Sequence, residues 1–150
     1  MSNFETMDMM LGKSLVIAVD FDGTVVEHKY PAIGKEMPFA FSTLKELQKR
    51  GHRLIMWTYR HGETLDAAVE YCRQNGVEFY AINRSFPEEK FDPKKASRKL
   101  DCDMFIDDRN VGGFLGWGEI FRIIHPEAAG GQVQQPKKQK KGFFGKIFKG

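Results

Sequence analysis

Hydrophobic positions along the chain follow two alternating rhythms. The runs at 14–20, 53–58 and 103–107 are continuous and rich in β-branched and aromatic residues, as in Leu15-Val16-Ile17-Ala18-Val19. Such runs predict strands of a parallel sheet covered on both faces. Between them, apolar residues recur three or four positions apart. Phe41, Leu44 and Leu47 mark a helix over 39–50, and Leu65, Val69 and Cys72 mark another over 63–75, with Gly51 and Gly76 as the stops. Shorter signals predict strands at 78–82 and 119–124. A short helix is predicted at 93–100, with Asp92 as its N-cap and Pro93 in its first position. Residues 25–38, broken by Pro31 and Gly34, read as a loop or small hairpin. Alternating strands and helices predict an α/β fold, a doubly wound parallel sheet with right-handed crossovers.

The polar residues at the strand ends change the picture from fold to chemistry. The first run ends in Asp20-Phe21-Asp22-Gly23-Thr24, the second in Thr58, and the third in Asp107-Asp108. Open α/β sheets bind ligands at the carboxyl ends of their strands. Like charges held together there call for a cation or a shared proton. Carboxylate oxygens are hard ligands suited to Mg²⁺, which binds through few carboxylates together with a phosphate. Four lysines, Lys90, Lys94, Lys95 and Lys99, precede the third run, where one could neutralise phosphate oxygens. Arg60, just after Thr58, could hold a further anionic group of a substrate, or pair with a surface carboxylate, the commoner arrangement. His28, Lys29 and Tyr30 lie on the short segment after the first motif, within reach of a substrate.

Asp20-x-Asp22-Gly23-Thr24, then Thr58, then a lysine, then Asp107-Asp108, is a set that resembles the haloacid dehalogenase-like (HAD) superfamily of phosphohydrolases, over roughly residues 14–125. The resemblance implies Mg²⁺-dependent hydrolysis of phosphate monoesters through an aspartyl-phosphate. It makes Asp20 the nucleophile and Asp22 the general acid and then the general base. Thr58 binds the phosphoryl oxygens. Asp107, with Asp20 and the main-chain carbonyl of Asp22, holds Mg²⁺, and Asp108 is a second acidic contact. Gly23 and Thr24 join Thr58 and Arg60 against the substrate. Lys99, or else Lys95 or Lys94, is the implied lysine. An aspartate at Asp22 favours phosphate chemistry over carbon–halogen cleavage. Neither the fifteen or so residues after Gly23 nor the stretch from Thr58 to Lys99 leaves room for a cap domain. A capless site is open, and relatives of that kind either take large substrates such as phosphoproteins and nucleic-acid ends, or close the site as a homo-oligomer. The alternatives are a phospho-accepting receiver or a binding adaptor. A receiver would place its Thr and Lys after the phospho-acceptor strand, an order this chain does not follow.

Composition sets the frame. A chain of 150 residues is one domain with a real core. Its lead-in, 1–13, carries Glu5 and Asp8 and is not patterned as a secretory signal. Cys72 and Cys102 lack metal-ligand spacing, so reduced thiols and a cytoplasmic location are expected. The remaining segment, 126–150, is of another kind. It holds six lysines against one glutamate, +5, which leaves −2 for the rest of a chain whose net charge is +3. Lysines interleaved with Phe143, Phe144, Ile147 and Phe148 suit docking to an anionic membrane surface or a protein partner.

Overall fold

The computed structural model describes residues 12–129. The chain runs β1 (Val16–Val19), α1 (Ala40–Lys49), β2 (Arg53–Met56), α2 (Gly62–Gln74), β3 (Ala81–Ile82), β4 (Met104–Ile106) and α3 (Trp117–Ile124), followed by a 3₁₀ turn at Pro126–Ala129. The four strands form one parallel sheet in the order β3-β2-β1-β4. The direction of winding therefore reverses at β1, whose neighbours are β2 and β4. This is a Rossmann-like α/β core.

All three helices bury their apolar stripes against one face of the sheet. Ile17, Val19, Leu54, Met56 and Ile106 meet Phe41, Leu44 and Leu47 of α1, Ala68 and Cys72 of α2, and Trp117, Ile120 and Ile124 of α3. The opposite face carries Ala18, Ile55 and Ala81. It is covered by the irregular segment between β3 and β4, which contributes Leu100. Each fully buried aliphatic side chain of this kind contributes on the order of 1.5–3 kcal/mol.

Two elements differ from the sequence expectation. Residues 119–124 are helical, not a strand. Trp117, Ile120 and Ile124 are spaced for one face of a helix, and burying that face against α1 outweighs the β-branched local preference. Residues 93–100 do not form a helix. The Lys95 and Ala96 amides donate to the Asp92 carbonyl, and the Lys94 amide to Asp92 Oδ1, which makes a single turn. Ser97 Oγ then accepts the Lys99 amide, so side chains rather than backbone carbonyls satisfy the segment. The strand expected at 78–82 is reduced to Ala81–Ile82. No helix among the described residues is long and apolar enough to cross a membrane. The basic, aromatic stretch of 137–150, with the docking role expected of it, lies outside the described residues.

Candidate active site

The sheet ladder extends one rung beyond the strands. The Asp20 amide donates to the Ile106 carbonyl, Trp57 to Val19, and Asn83 to Met56. Strand register therefore sets Asn83, Trp57, Asp20 and Asp107 side by side along the carboxyl edge of the sheet. Asp20 and Asp107 flank the point where the strand order reverses, the usual ligand crevice of such sheets. A cleft of about 380 Å³ opens there, lined by Asp20, Asp22, His28, Trp57, Thr58, Tyr59, Asp107 and Arg109.

Asp20, Asp107 and Asp108 converge, each offering an oxygen, with these atoms within 4.8 Å of one another. Three half-buried carboxylates this close repel. Asp20 is accordingly pushed up to about 7, by burial first, then by its hydrogen bond with Asp108 and the charge of Asp107, although a backbone amide pulls the other way. A donor set of hard oxygens at this spacing fits a divalent cation.

Thr24 and Gly23 build this convergence. The buried Thr24 hydroxyl lies 3.2 Å from both Asp20 Oδ2 and Asp108 Oδ1, and accepts the Asp108 amide at 3.1 Å. Its carbonyl accepts from Trp117 Nε1 at 2.8 Å, which ties the site to α3. Gly23 has φ 86°, and a Cβ there would sit 2.4 Å from Asp108 Oδ2. The Gly23 amide is spent on the Val26 carbonyl. Both residues therefore brace the carboxylates from behind, and the substrate contact expected of them is not where the structure puts their polar groups.

Thr58 lies in the cleft as the sequence suggests. Its amide donates to Asn83 Oδ1 at 2.8 Å and its Oγ1 accepts the Arg60 amide at 3.1 Å, leaving the hydroxyl hydrogen for a ligand. Asn83, held at φ 51°, was not a candidate in the sequence. A lone Asn after a short strand carries no motif, and its role depends on β3 pairing beside β2.

Arg60 is a correction. It is 2% exposed, with its guanidinium stacked near the Phe21 and Tyr30 rings. All five of its N–H groups are engaged, by both Asp22 oxygens and the carbonyls of Pro31, Ala32 and Thr64. It fastens the segment after the first motif to Asp22 and has no donor left for a substrate. The lysine is a second correction. Lys90, Lys94, Lys95 and Lys99 are exposed and none lines the cleft, because the turn at 93–96 does not continue as a helix toward the site. Arg109, directly after the aspartate pair, lines it instead. Asp22, also expected near the metal, turns its carboxylate to Arg60 and stands outside the converging three.

No family model matches the chain, and no curated protein does. A solved structure of a conserved protein from Bacteroides thetaiotaomicron is similar at 56% identity, covering 77% of this chain and 93% of that one, with a TM-score of 0.72. The chain belongs to the family of that protein. The likeness spans nearly all of the Bacteroides chain, so the α/β core described above is the shared part. The cleft can hold a cation against three carboxylates and present a hydroxyl and a guanidinium to an anion beside it, with a fourth carboxyl, Asp22, in its wall.

Proposed function

We propose that the protein is a Mg²⁺-dependent phosphohydrolase of the HAD type, acting on phosphate monoesters from a doubly wound, capless core. The observation that carries this reading is the convergence of Asp20, Asp107 and Asp108 beside Thr58 at the strand-order reversal. Crossovers support the doubly wound reading: α1 and α2 lie on one face and the 83–103 connection crosses the other. In place of a cap there is only the short segment clasped by Arg60.

When bound between these carboxylates, Mg²⁺ supplies charge that offsets repulsion between Asp20 and an anionic phosphoryl group. Asp20 attacks phosphorus and the ester oxygen departs, so one hard displacement becomes two easier ones. Asp22 carries a proton when the ester oxygen leaves and gives it to that oxygen, then as a carboxylate takes one from the water that attacks the acyl phosphate; the ion pair with Arg60 belongs to this ionised form. The Arg60 fork fixes where the Asp22 carboxyl points, while each oxygen keeps a lone pair free of the pair. The Thr58 hydroxyl and Arg109 bind the phosphoryl oxygens, Arg109 taking the part that the family resemblance gave to a lysine. The two free cysteines, one of them the buried Cys72, suit a cytoplasmic setting.

Hydrolysis of p-nitrophenyl phosphate tests the reading. Turnover in Mg²⁺ that is lost in EDTA and falls at least 10³-fold in Asp20→Asn is the expected result. Stable phosphorylation of Asp20 without release would favour a phospho-accepting role, and no phosphorylation at all a binding role.

A further inference from the structure

The row Asn83, Trp57, Asp20, Asp107 does not end at the acidic cleft. Trp57 also lines a second cavity of about 400 Å³, on the face of the sheet that no helix covers. Its character is the reverse of the first. Arg84 and Arg98 line it, with Phe91, Ser85 and Ser97, against a single carboxylate, Glu89, one oxygen of which accepts the Ser85 amide. The Arg98 guanidinium lies 5.3 Å from the Phe91 ring centre and makes no ion pair among the described residues. Arg84 uses Nε and Nη1 on the carbonyls of Ile82 and Pro87, and its Nη2 makes no hydrogen bond among the described residues. Thr58 lines the first cavity and Asn83 the second, and the Thr58 amide donates to Asn83 Oδ1.

Each cavity alone is at the low end for a small-molecule site, and the pair together suits a larger ligand. Arginine forks select phosphate oxygens. The half-buried Trp57 indole, which lines both cavities, and the exposed Phe91 ring offer aromatic surface for a planar ring system. We infer that the two cavities form one bipartite site for a nucleotide carrying a second phosphate, of the nucleoside bisphosphate class. The scissile phosphate lies against Asp20, Thr58 and Arg109, the base lies on Trp57, and the second phosphate lies between Arg84 and Arg98. A nucleoside monophosphate would leave the basic half empty. The placement of the scissile end rests on the phosphohydrolase reading; recognition of the base and second phosphate does not.

The test is equilibrium binding to full-length Asp20→Asn protein in Mg²⁺, read by tryptophan fluorescence, with adenosine 3′,5′-bisphosphate and adenosine 5′-monophosphate as probes. The expected result is binding of the bisphosphate at least tenfold tighter than of the monophosphate. Arg98→Ala and Arg84→Gln should each erase most of that advantage, with p-nitrophenyl phosphate hydrolysis unchanged in the otherwise wild-type protein. Trp57→Phe should weaken both nucleotides and remove most of the fluorescence change. Equal affinity for the two probes, no binding of either at millimolar concentration, or discrimination that survives both arginine variants would overturn the inference. Tenfold tighter binding of a 5′-phosphorylated oligonucleotide than of the bisphosphate would also overturn it, in favour of a nucleic-acid end. Binding as expected with no p-nitrophenyl phosphate turnover in the wild type would instead sink the phosphohydrolase reading and leave this one standing.

Discussion

Arg60 holds both carboxylate oxygens of Asp22, at 2.7 and 2.8 Å, from a position 2% exposed to solvent. The pair joins the loop after β2 to the loop after β1, and the remaining donors hold the carbonyls of Pro31 and Ala32. A buried ion pair gives little net stability over an apolar substitute, but breaking one side of it leaves a charge without its partner. Arg60→Met is therefore expected to cost about 3–5 kcal/mol, read as a lower urea midpoint at unchanged slope. Arg60→Lys, which restores the charge without the fork, should recover less than half of the loss. A midpoint within error of wild type for Arg60→Met would mean the pair is not closed in solution.

Gly23 faces Asp108 with no room for a methyl group. Gly23→Ala must move the Asp108 carboxylate, which a Cβ would approach to 2.4 Å, and must hold alanine at φ 86°. The backbone term alone is about 1–2 kcal/mol. Displacing one of three carboxylates should also weaken cation binding at least tenfold, measured by Mg²⁺ titration of thermal stability. A variant with lower stability and unchanged Mg²⁺ affinity would separate Asp108 from the cation.

The strands and their polar ends were legible because a run such as Val16-Ile17-Ala18-Val19 followed by Asp20-x-Asp22 compresses both fold and chemistry into a few adjacent residues. So were α1 and α2, whose stripes are long enough to establish a period. Glu119 to Ile124 was too short for that, and its helical stripe begins at Trp117, whose indole bond to the Thr24 carbonyl joins residues 93 positions apart. How completely Arg60 is consumed was hidden for a related reason. Its neighbour Thr58 does face the cleft, but the five acceptors that consume Arg60 come from Asp22, the flap and α2, brought together only by the fold. Arg109, after the aspartate pair, invites the same comparison as Arg60, an anion contact or an ordinary ion pair, and stands out less than four lysines whose number suggests a role that the turn at Asp92 denies them.

The crowding of Asp20 makes a cation stabilising. Burial and the neighbouring carboxylates push its carboxyl up to about 7 from the ordinary 3.8, so without a cation the fold carries a penalty at and above neutral pH. That penalty fades as pH falls from 7 toward 3.8, where the folded state binds the proton more readily than the unfolded chain. At pH 8 in EDTA, Asp20→Asn should melt about 3–8 °C above wild type, equivalent to roughly 1–2 kcal/mol. Mg²⁺ should raise the wild-type melting temperature by more than it raises that of the variant. A variant that melts below wild type in EDTA would show that the three carboxylates do not repel in solution.

A second titrating device sits at the other end of the sheet and responds to pH in the opposite sense. The Leu15 amide donates to His52 Nδ1 at 3.0 Å, so His52 carries its proton on Nε2, 2.7 Å from His125 Nε2. His125 is thereby left with its proton on Nδ1, which donates to Glu127 at 2.6 Å, so that the two histidines link the 3₁₀ turn to the residue before β2. An added proton on His52 has no acceptor there. Burial, then the neighbouring His125 and Arg50, lowers its pKa from 6.5, with Glu127 opposing. A histidine depressed in the folded state contributes stability that is complete above 6.5 and is lost as pH falls from 6.5 through the folded value. Glu127, lowered from 4.5 chiefly by its bond from His125, adds a loss only below that value. Because Asp20 gains stability over the same acid range, the histidine effect is best read in the Asp20→Asn background. There, unfolding free energy should decline as pH falls below 6.5. His52→Gln should be less stable than its parent at pH 8, since the ring between Leu15 and His125 is gone, and should show a flatter profile across that interval. An equal slope with and without His52 would assign the decline to another group.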